Sequence, residues 1–437
     1  MDRARGAPFE RHLNELDCAQ NLTPAELRDW QRKRLYDLLC HARDTTRFYR
    51  PLIPTSFSPA DSWEVLSGLP IVSKGTIDAD SDALFSRTFS RARSWAGATS
   101  GTTGLSFAFW MDRYRRSRVL AELAYFGRWA GYEIGVRHMF LRPAFPDPPK
   151  SALHLWPKNQ ILVDTGRLDD TRLDAIVGLL TDSRAKVLFG YPWTLQALAA
   201  HIHRSRQGDS PPPADLRSII AVGGALPRES RMDIEEALGC PVFERYSASE
   251  TGTIAGECEM HRLHLNVGSL YAELMPHETI RISASGEPRT LILTDLFNYA
   301  MPFLRYNMED VVVLDDGPCT CGRSSPLIGA VYGRTMDQIT SPEGEWVDPM
   351  CFGNLLRNIP SIRRFQFVQE TLNSYVVRVV PCDGFGSQTV SEIVQRHRRF
   401  LGPSANIQVL PVDEIPALPS GKRPLVISNL RRGEPIE

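Results

Sequence analysis

The residues that most clearly suggest binding chemistry form the TSGTTG run at residues 99–104. This run places hydroxyl side chains and glycines in six consecutive positions. Backbone N–H groups exposed by glycine, together with hydroxyl donors, can cradle a polyphosphate. The spacing differs from the common GxxxxGK[ST] phosphate loop, and no lysine closes the run. A hydrophilic surface turn is the alternative reading. The phosphate interpretation therefore depends on motifs that follow later in the chain.

A second candidate segment is YSASE at residues 246–250, directly after an apolar run that predicts a strand. Tyr246 offers a ring on which a planar base can stack. Ser249 can bond a phosphate oxygen, and Glu250 can bind Mg²⁺. The alternative is a strand end followed by a polar turn.

A third candidate segment is RYNMED at residues 305–310, just before the apolar run 311–313. Asp310 is well placed to accept both hydroxyls of a ribose. Arg305 can meet a phosphate or pair with a carboxylate. The alternative is a turn closed by an ion pair between Arg305 and Asp310.

Lys422 lies in a Pro-Ser-Gly-Lys turn near the end of the sequence. A lysine on a mobile turn can deliver positive charge to the transition state of nucleotidyl transfer. A solvated surface charge is the alternative, so this assignment depends on the order of the motifs.

Three cysteines and two histidines predict a zinc site. Cys258 precedes His261 and His264, and Cys319 and Cys321 follow in a turn rich in proline and glycine. Three thiolates and one imidazole form the closed four-ligand set of structural zinc. We favour His264 as the fourth ligand, with His261 as the alternative; three reduced thiols without metal are the other reading. The set leaves no open position, so the metal is predicted to be structural.

The elements that position these residues follow from the hydrophobic pattern. Strand and helix patterns alternate from about residue 137 to 250, which predicts a parallel sheet covered by helices. Its glycines and polar residues cluster at strand C-terminal ends, where such sheets bind ligands. Short strands dominate from 270, and an α+β unit follows residue 334. The sequence thus predicts an α/β protein with a large domain at 1–333, including a β-rich subdomain, and a small domain at 334–437.

Composition limits the classes of function. The chain has 437 residues, 42% of them hydrophobic, and a formal net charge of −1, so no global field draws it to nucleic acid or lipid. No run approaches the ~20 apolar residues of a membrane span, and the first residues lack the apolar core of a secretory signal. A cytoplasmic protein is expected, and a homodimer is only the general prior for soluble enzymes.

In this order, the motifs TSGTTG, YSASE, RYNMED, Gly333-Arg334 and Ser420-Gly421-Lys422 resemble the adenylate-forming superfamily. The short length and the CTCGR run at 319–323 resemble its phenylacetate–CoA ligase family. The position of Cys258 and the ending IPALPSGKRPLVIS resemble the capsule-biosynthesis branch of that family.

The resemblance implies an enzyme that activates a carboxylic acid with ATP and Mg²⁺ and passes the acyl group to CoA after its small C-terminal domain rotates. It implies phosphate contacts from Ser100, Gly101, Thr102, Thr103 and Gly104, and a pocket border at Gly223, Gly224 and Ala225. It further implies an adenine and phosphate site at Tyr246, Ser247, Ser249 and Glu250, ribose binding by Asp310, a hinge contact from Arg334 and catalysis by Lys422.

Three departures from the family pattern concern the substrates. Leu105-Ser106 replaces the usual Lys-Pro, the segment Gly223–Leu226 lacks a common Glu, and Met336 stands where an acidic hinge residue is common. We expect an acid–CoA ligase for an aromatic acid, with Phe145, Tyr191, Trp193 and Tyr246 as pocket candidates. The alternatives are transfer to an acyl carrier protein or an amine, and a non-catalytic nucleotide-binding protein.

Overall fold

A computed structural model describes residues 9–98, 107–142, 159–205, 215–224, 226–276, 287–332, 339–347, 352, 355–356, 359–415 and 425–430. The chain forms two compact units. The first comprises residues 1–99, 107–130 and 244–333, and the second comprises residues 100–106, 131–243 and 334–437. The predicted domain boundary at 333/334 remains a prediction, and Arg334 lies outside the described residues.

The α-helices of the described ranges are α1 (Phe9–Asn21), α2 (Pro24–Thr45), α3 (Ser62–Gly68), α4 (Lys74–Ala79), α5 (Ser81–Leu84), α6 (Arg113–Trp129), α7 (Asp170–Ser183), α8 (Pro192–Ser205), α9 (Arg228–Leu238) and α10 (Ser387–Leu401).

The first strands are β1 (Trp95–Ala98), β2 (Ala108–Met111), β3 (His138–Arg142), β4 (Gln160–Asp164), β5 (Arg167–Leu168), β6 (Val187–Gly190), β7 (Ser218–Val222), β8 (Val242–Ala248), β9 (Gly252–Glu257) and β10 (Leu263–Leu265). The later strands are β11 (Leu270–Pro276), β12 (Arg289–Asp295), β13 (Tyr306–Asp315), β14 (Leu327–Tyr332), β15 (Ile339–Thr340), β16 (Trp346–Val347), β17 (Ile362–Gln369), β18 (Ser374–Pro381), β19 (Asn406–Pro411) and β20 (Val426–Ser428).

The first unit is built on a mostly antiparallel sheet in the order β11-β12-β13-β14-β10-β9-β8. Helix α2 packs its buried leucines into the largest core, beside aromatic residues such as Phe297 and Phe303. Thr23 caps this helix in a reciprocal pair with Glu26, so the side chain of each residue accepts from the backbone of the other. Helix α1, which the sequence analysis missed, covers α6 in a smaller core.

The second unit contains the predicted parallel sheet, in the order β7-β6-β3-β4. Strands β6 and β7 are fully buried because helices α7, α8 and α9 supply apolar faces to one continuous core, whereas the edge strand β4 is mostly half-buried. The predicted α/β class is therefore confirmed at the level of strand and helix order.

The later residues of the second unit form a separate α+β core. Strands lie in the order β19-β18-β17-β20, antiparallel at the centre and parallel at both edges. Helix α10 packs on this sheet through Ile393, His397 and Leu401. A small sheet of β15, β16 and β5 stands apart from it. Across the described ranges, no helix is both long and apolar enough to cross a membrane.

Candidate functional site

The structure brings together two of the predicted motifs through residues that lie 64 positions apart in the sequence. Tyr246 on β8 donates a hydrogen bond through Oη to Oδ2 of Asp310 on β13, at 2.5 Å. Asp310 is buried, whereas Tyr246 is half-buried and keeps part of its ring accessible. An aromatic face beside a carboxylate can hold a base and a neighbouring pair of hydroxyls.

Ser249 and Glu250 lie in the turn between β8 and β9. A register shift between Tyr246 and Ser247 alters the pairing just before this turn. Ser249 is exposed, and Ser247 is half-buried. Glu250 is only 1% exposed and accepts a hydrogen bond from Tyr306 Oη at 3.1 Å. This hydrogen bond uses only Oε1 of Glu250. Its other carboxylate oxygen can ligate Mg²⁺.

A buried arginine, which the sequence analysis missed, holds the residue next to this carboxylate. Arg115 on α6 donates through Nε to Asp295 Oδ2 at 2.7 Å and through Nη1 to Glu122 Oε1 at 2.5 Å. Its Nη2 donates to the carbonyl oxygen of Thr251. Glu122 also accepts from the backbone N–H of Thr253 at 3.1 Å. Charge-assisted hydrogen bonds thus connect the side chains of Arg115, Asp295 and Glu122 to the backbone of the turn at Thr251 and Thr253.

Gly252 explains why the turn can approach these charges. Its φ of +77° is a conformation that side chains rarely adopt, and a Cβ there would collide with Glu122. Periodicity along α6 identifies only apolar positions, so no sequence signal distinguishes Arg115 from a surface arginine.

Arg305 contacts a carboxylate rather than Asp310. It forms an ion pair with Glu273 at 3.1 Å and donates to the carbonyl oxygens of Ser67 and Leu69 at 2.7 and 2.6 Å. The alternative reading of an Arg305–Asp310 pair is therefore wrong. Arg305 fastens the end of α3 to the start of β13.

Lys74 is a second charged residue that the sequence analysis left without a role. It is 3% exposed and pairs with Glu309 Oε2 at 2.9 Å, one residue before Asp310. The backbone just before Lys74 is hydrogen-bonded to β13: the N–H of Asn307 donates to the carbonyl oxygen of Val72 at 2.8 Å. These contacts hold the strand segment that carries Asp310 in place beside Tyr246.

In the second unit, Gly223 and Gly224 end strand β7 as expected. Gly223 has φ +78°, and a Cβ there would stand 2.6 Å from the Tyr191 ring. Tyr191 stacks on Trp193 with ring centroids 5.1 Å apart and planes 4° from parallel. These two pocket candidates thus form one aromatic wall against the glycines.

Several predicted site residues lie outside the described residues. They are Ser100, Gly101, Thr102, Thr103, Gly104, Ala225, Arg334 and Lys422, together with the pocket candidate Phe145. Their roles stay predictions.

The predicted metal ligands Cys258, His264, Cys319 and Cys321 are brought together in the first unit. Their ligand atoms lie within 4.8 Å of one another. Cys258 Sγ is 3.7 Å from Cys319 Sγ, and Cys321 Sγ is 3.3 Å from His264 Nε2. Thiolates bound to one tetrahedral zinc stand about 3.8 Å apart at Zn–S distances of about 2.3 Å. The separation exceeds a disulfide bond and fits this donor set.

The surroundings of the cluster orient its ligands. His264 Nδ1 is 3.0 Å from Ser325 Oγ, which leaves Nε2 facing the thiols. Burial lowers the pKa of His264 to about 4, so its ring is neutral and able to ligate. His261, the alternative ligand, does not join the cluster: it is exposed, and its Nδ1 contacts Glu257 Oε1 at 3.2 Å.

Comparisons with known proteins agree with this fold. Residues 339–429 match the family model described as the CapK C-terminal domain. The chain is 24% identical to Protein CapK of Staphylococcus aureus over 417 residues, covering 93% of this chain and 90% of that protein. It is 28% identical to a phenylacetate-coenzyme A ligase of Thermus thermophilus over 275 residues, covering 56% of this chain and 61% of that protein.

Among solved structures, 2-hydroxyisobutyryl-CoA ligase in complex with 2-HIB-AMP and CoA matches with a TM-score of 0.63. The match has 19% identity and covers 94% of this chain and 92% of that chain. The chain therefore has the fold of the adenylate-forming acid–CoA ligases, as its motifs predict. Its sequence is similar to that of Protein CapK over most of its length, and residues 339–429 match the model of the CapK C-terminal domain.

Proposed function

We propose that the protein activates a carboxylic acid with ATP as an acyl-adenylate and then transfers the acyl group to the thiol of CoA. The observation that carries this proposal is the meeting of Tyr246 with Asp310, beside the turn that presents Glu250. A ring, a buried carboxylate for hydroxyls and a second carboxylate for Mg²⁺ are the groups that an adenylate site requires.

In the first step the acid's carboxylate oxygen forms a bond to the α-phosphorus, and the bond to the β-phosphate oxygen breaks, releasing pyrophosphate. In the second step the thiol sulfur bonds to the acyl carbon, the thiol proton leaves to solvent, and AMP departs with the bonding electron pair. Lys422 is assigned to the first transition state, where its charge offsets that of the phosphate oxygens. The phosphate loop at 99–104 and Arg334 are assigned to the nucleotide in the same way.

An aromatic acid is the substrate class that the second unit favours. The stacked rings of Tyr191 and Trp193 form a flat apolar wall beside Gly223. Aromatic substrates gain both burial and ring stacking against such a wall. The structural relative is named as a 2-hydroxyisobutyryl-CoA ligase, so a panel of candidate acids also includes 2-hydroxyisobutyrate, which is aliphatic.

A structural zinc ion is the second part of the proposal. Its support is the S₃N set of Cys258, Cys319, Cys321 and His264 at distances that suit one tetrahedral ion. Three thiolates and Zn²⁺ leave one net negative charge. Arg323 stands nearby, pairs with Glu259 at 2.8 Å and covers the Trp129 ring at 4.1 Å. A closed site of this kind stabilises the fold and offers no position for substrate.

The proposed reaction is tested by following AMP and thioester formation over a panel of aromatic and aliphatic acids, with and without CoA. We expect one acid class to give AMP and a thioester only when CoA is present. Acid-dependent pyrophosphate exchange without a thioester would instead assign the acyl group to a carrier protein or an amine. Absence of acid-dependent exchange with every acid, in a protein that binds ATP, would overturn the proposal.

A further inference from the structure

A cavity of about 470 Å³ in the first unit is not used by the proposed reaction. It lies at the C-terminal end of α2 and is walled by the segment that leads towards β1. Its charged lining consists of Arg47, Arg50, Arg87 and Arg91, opposed by Asp44 and Asp82. Pockets for small molecules have volumes of roughly 300–1,000 Å³, so a compact ligand fits it.

The two aspartates of the lining are already neutralised. Arg43 donates to Asp44 through Nε at 2.7 Å and through Nη2 at 3.1 Å, and this hydrogen bonding lowers the pKa of Asp44. Asp82 pairs with Arg91. Each carboxylate therefore has its own arginine before any ligand is present.

Two arginines of the lining retain an uncompensated charge. Arg47 pairs with Asp80 at 3.2 Å, but Arg50 and Arg87 form no ion pair with any residue in the part of the chain that the structure describes. Counting Arg43 and Asp80 with the lining, five arginines face three aspartates, so the cavity carries a charge of about +2. Guanidinium groups at this density match the oxygens of a phosphate.

One wall of the cavity is aromatic. Phe85 lines it and meets Trp110 edge to face, with ring centroids 5.8 Å apart. Arg91 lies over both rings, 5.0 Å from Phe85 and 4.2 Å from Trp110. A cation held against rings stays in place while it faces a ligand, and the exposed part of Phe85 offers an apolar surface to a planar group.

We propose that this cavity is an anion site that binds the phosphate group of a small phosphorylated ligand through Arg50 and Arg87. Two sources supply such a phosphate group. One is the phosphorylated nucleotide end of CoA, and this source rests on the proposed function. The other is free phosphate. Adenosine 3′,5′-bisphosphate, AMP and inorganic phosphate are the probes that separate these sources.

The experiment measures binding of each probe by titration calorimetry to the full chain and to the double variant Arg50→Glu/Arg87→Glu. Both side chains are exposed, so the reversals leave the core unchanged. Arg93→Glu is the matched control, because Arg93 is exposed in the same segment and does not line the cavity. We expect a binding component that the double variant weakens at least tenfold and the control leaves within twofold. Tighter binding of the bisphosphate than of phosphate would assign the nucleotide source, and equal binding the free anion.

The proposal is overturned if the double variant binds all three probes as the wild-type chain does, or if the wild-type chain binds none of them at millimolar concentration. Pyrophosphate exchange on the same variants separates this result from the proposed function. We expect the double variant to keep the wild-type KM for ATP in that assay, since the cavity contributes no predicted ATP ligand. A variant that loses phosphate binding and ATP binding together would contradict a site separate from the adenylation site.

Discussion

Asp310 is the residue whose chemistry can be isolated most cleanly. Replacing it by asparagine keeps its shape and removes the charge that accepts from Tyr246. Hydrogen bonds to a charged group contribute about 1.5–3 kcal/mol, so Asp310→Asn should raise the KM for ATP at least tenfold. Initial rates of pyrophosphate exchange against ATP concentration check this. Asp316→Asn, an exposed change on the same segment, should have the wild-type KM; equal KM values for both variants would remove Asp310 from the nucleotide site.

Arg115 allows a test of structure rather than binding. In Arg115→Met the carboxylates of Glu122 and Asp295 stay buried without their shared cation. Breaking a buried ion pair from one side costs about 3–5 kcal/mol, so the free energy of unfolding should fall by that amount in urea titrations. Arg113→Met, at an exposed position of the same helix, should change it by less than about 0.5 kcal/mol. A loss equally small at Arg115 would refute the network's role.

At the level of elements, the proposed zinc ligands connect the β9–β10 hairpin to the turn at 319–321. The purified chain should contain one zinc per molecule by elemental analysis. His264→Ala should lose the metal and lower the thermal midpoint, because metal-binding free energy is part of folding free energy. His261→Ala should retain the metal, since His261 faces Glu257. A stable, metal-free wild-type chain would disprove the zinc proposal.

Helix α10 gives a pH dependence to the α+β core. His397 is fully buried beside the stacked rings of Phe352 and Phe367, 5.7 and 5.3 Å from their centroids, and Ile393 O lies 2.7 Å from its Nδ1. Burial lowers the pKa of His397 from 6.5 to about 4. The unfolded chain therefore binds this proton first, and the free energy of unfolding falls as pH drops from 6.5 towards 4, by at most ~3 kcal/mol.

The variant His397→Phe should remove this contribution to the pH slope, because phenylalanine fills the same stacked position without a titrating group. Urea unfolding at pH 7 and pH 5 measures the difference. His203→Gln, an exposed change, should keep the wild-type slope. The same slope in His397→Phe would show that His397 does not titrate between the two states.

The secondary structure also shows which elements can be predicted from the sequence. The alternation of strands and helices from about residue 137 to 250 was predicted, because apolar runs such as those of β6 and β7 are local signals. The three-residue strand β10 was missed because its pairing is set by distant partners. Helix α1 escaped notice because its apolar positions are sparse.

At the scale of the molecule, the order of motifs predicted the fold better than any motif alone. Tyr246 and Asp310 were each ambiguous in the sequence, and their direct hydrogen bond becomes visible only in the folded chain. The three thiols of the cluster were predicted together with His264 as the favoured fourth ligand; His261 stayed the alternative because spacing alone does not fix which ring turns inward. The two-unit division runs through residues far apart in the sequence, which local patterns do not encode.

Adenylation of a carboxylic acid with ATP is the activity on which the proposed function of this molecule rests. The most direct test is acid-dependent exchange of labelled pyrophosphate into ATP, in the wild-type chain and in Lys422→Ala, with Lys33→Ala as an exposed lysine control. We predict exchange with at least one acid class, a loss of about a hundredfold or more in Lys422→Ala with ATP binding retained, and no loss in Lys33→Ala. Full exchange activity in Lys422→Ala would contradict the role assigned to Lys422, and ATP binding without exchange for any acid would contradict adenylation of a carboxylic acid by this molecule.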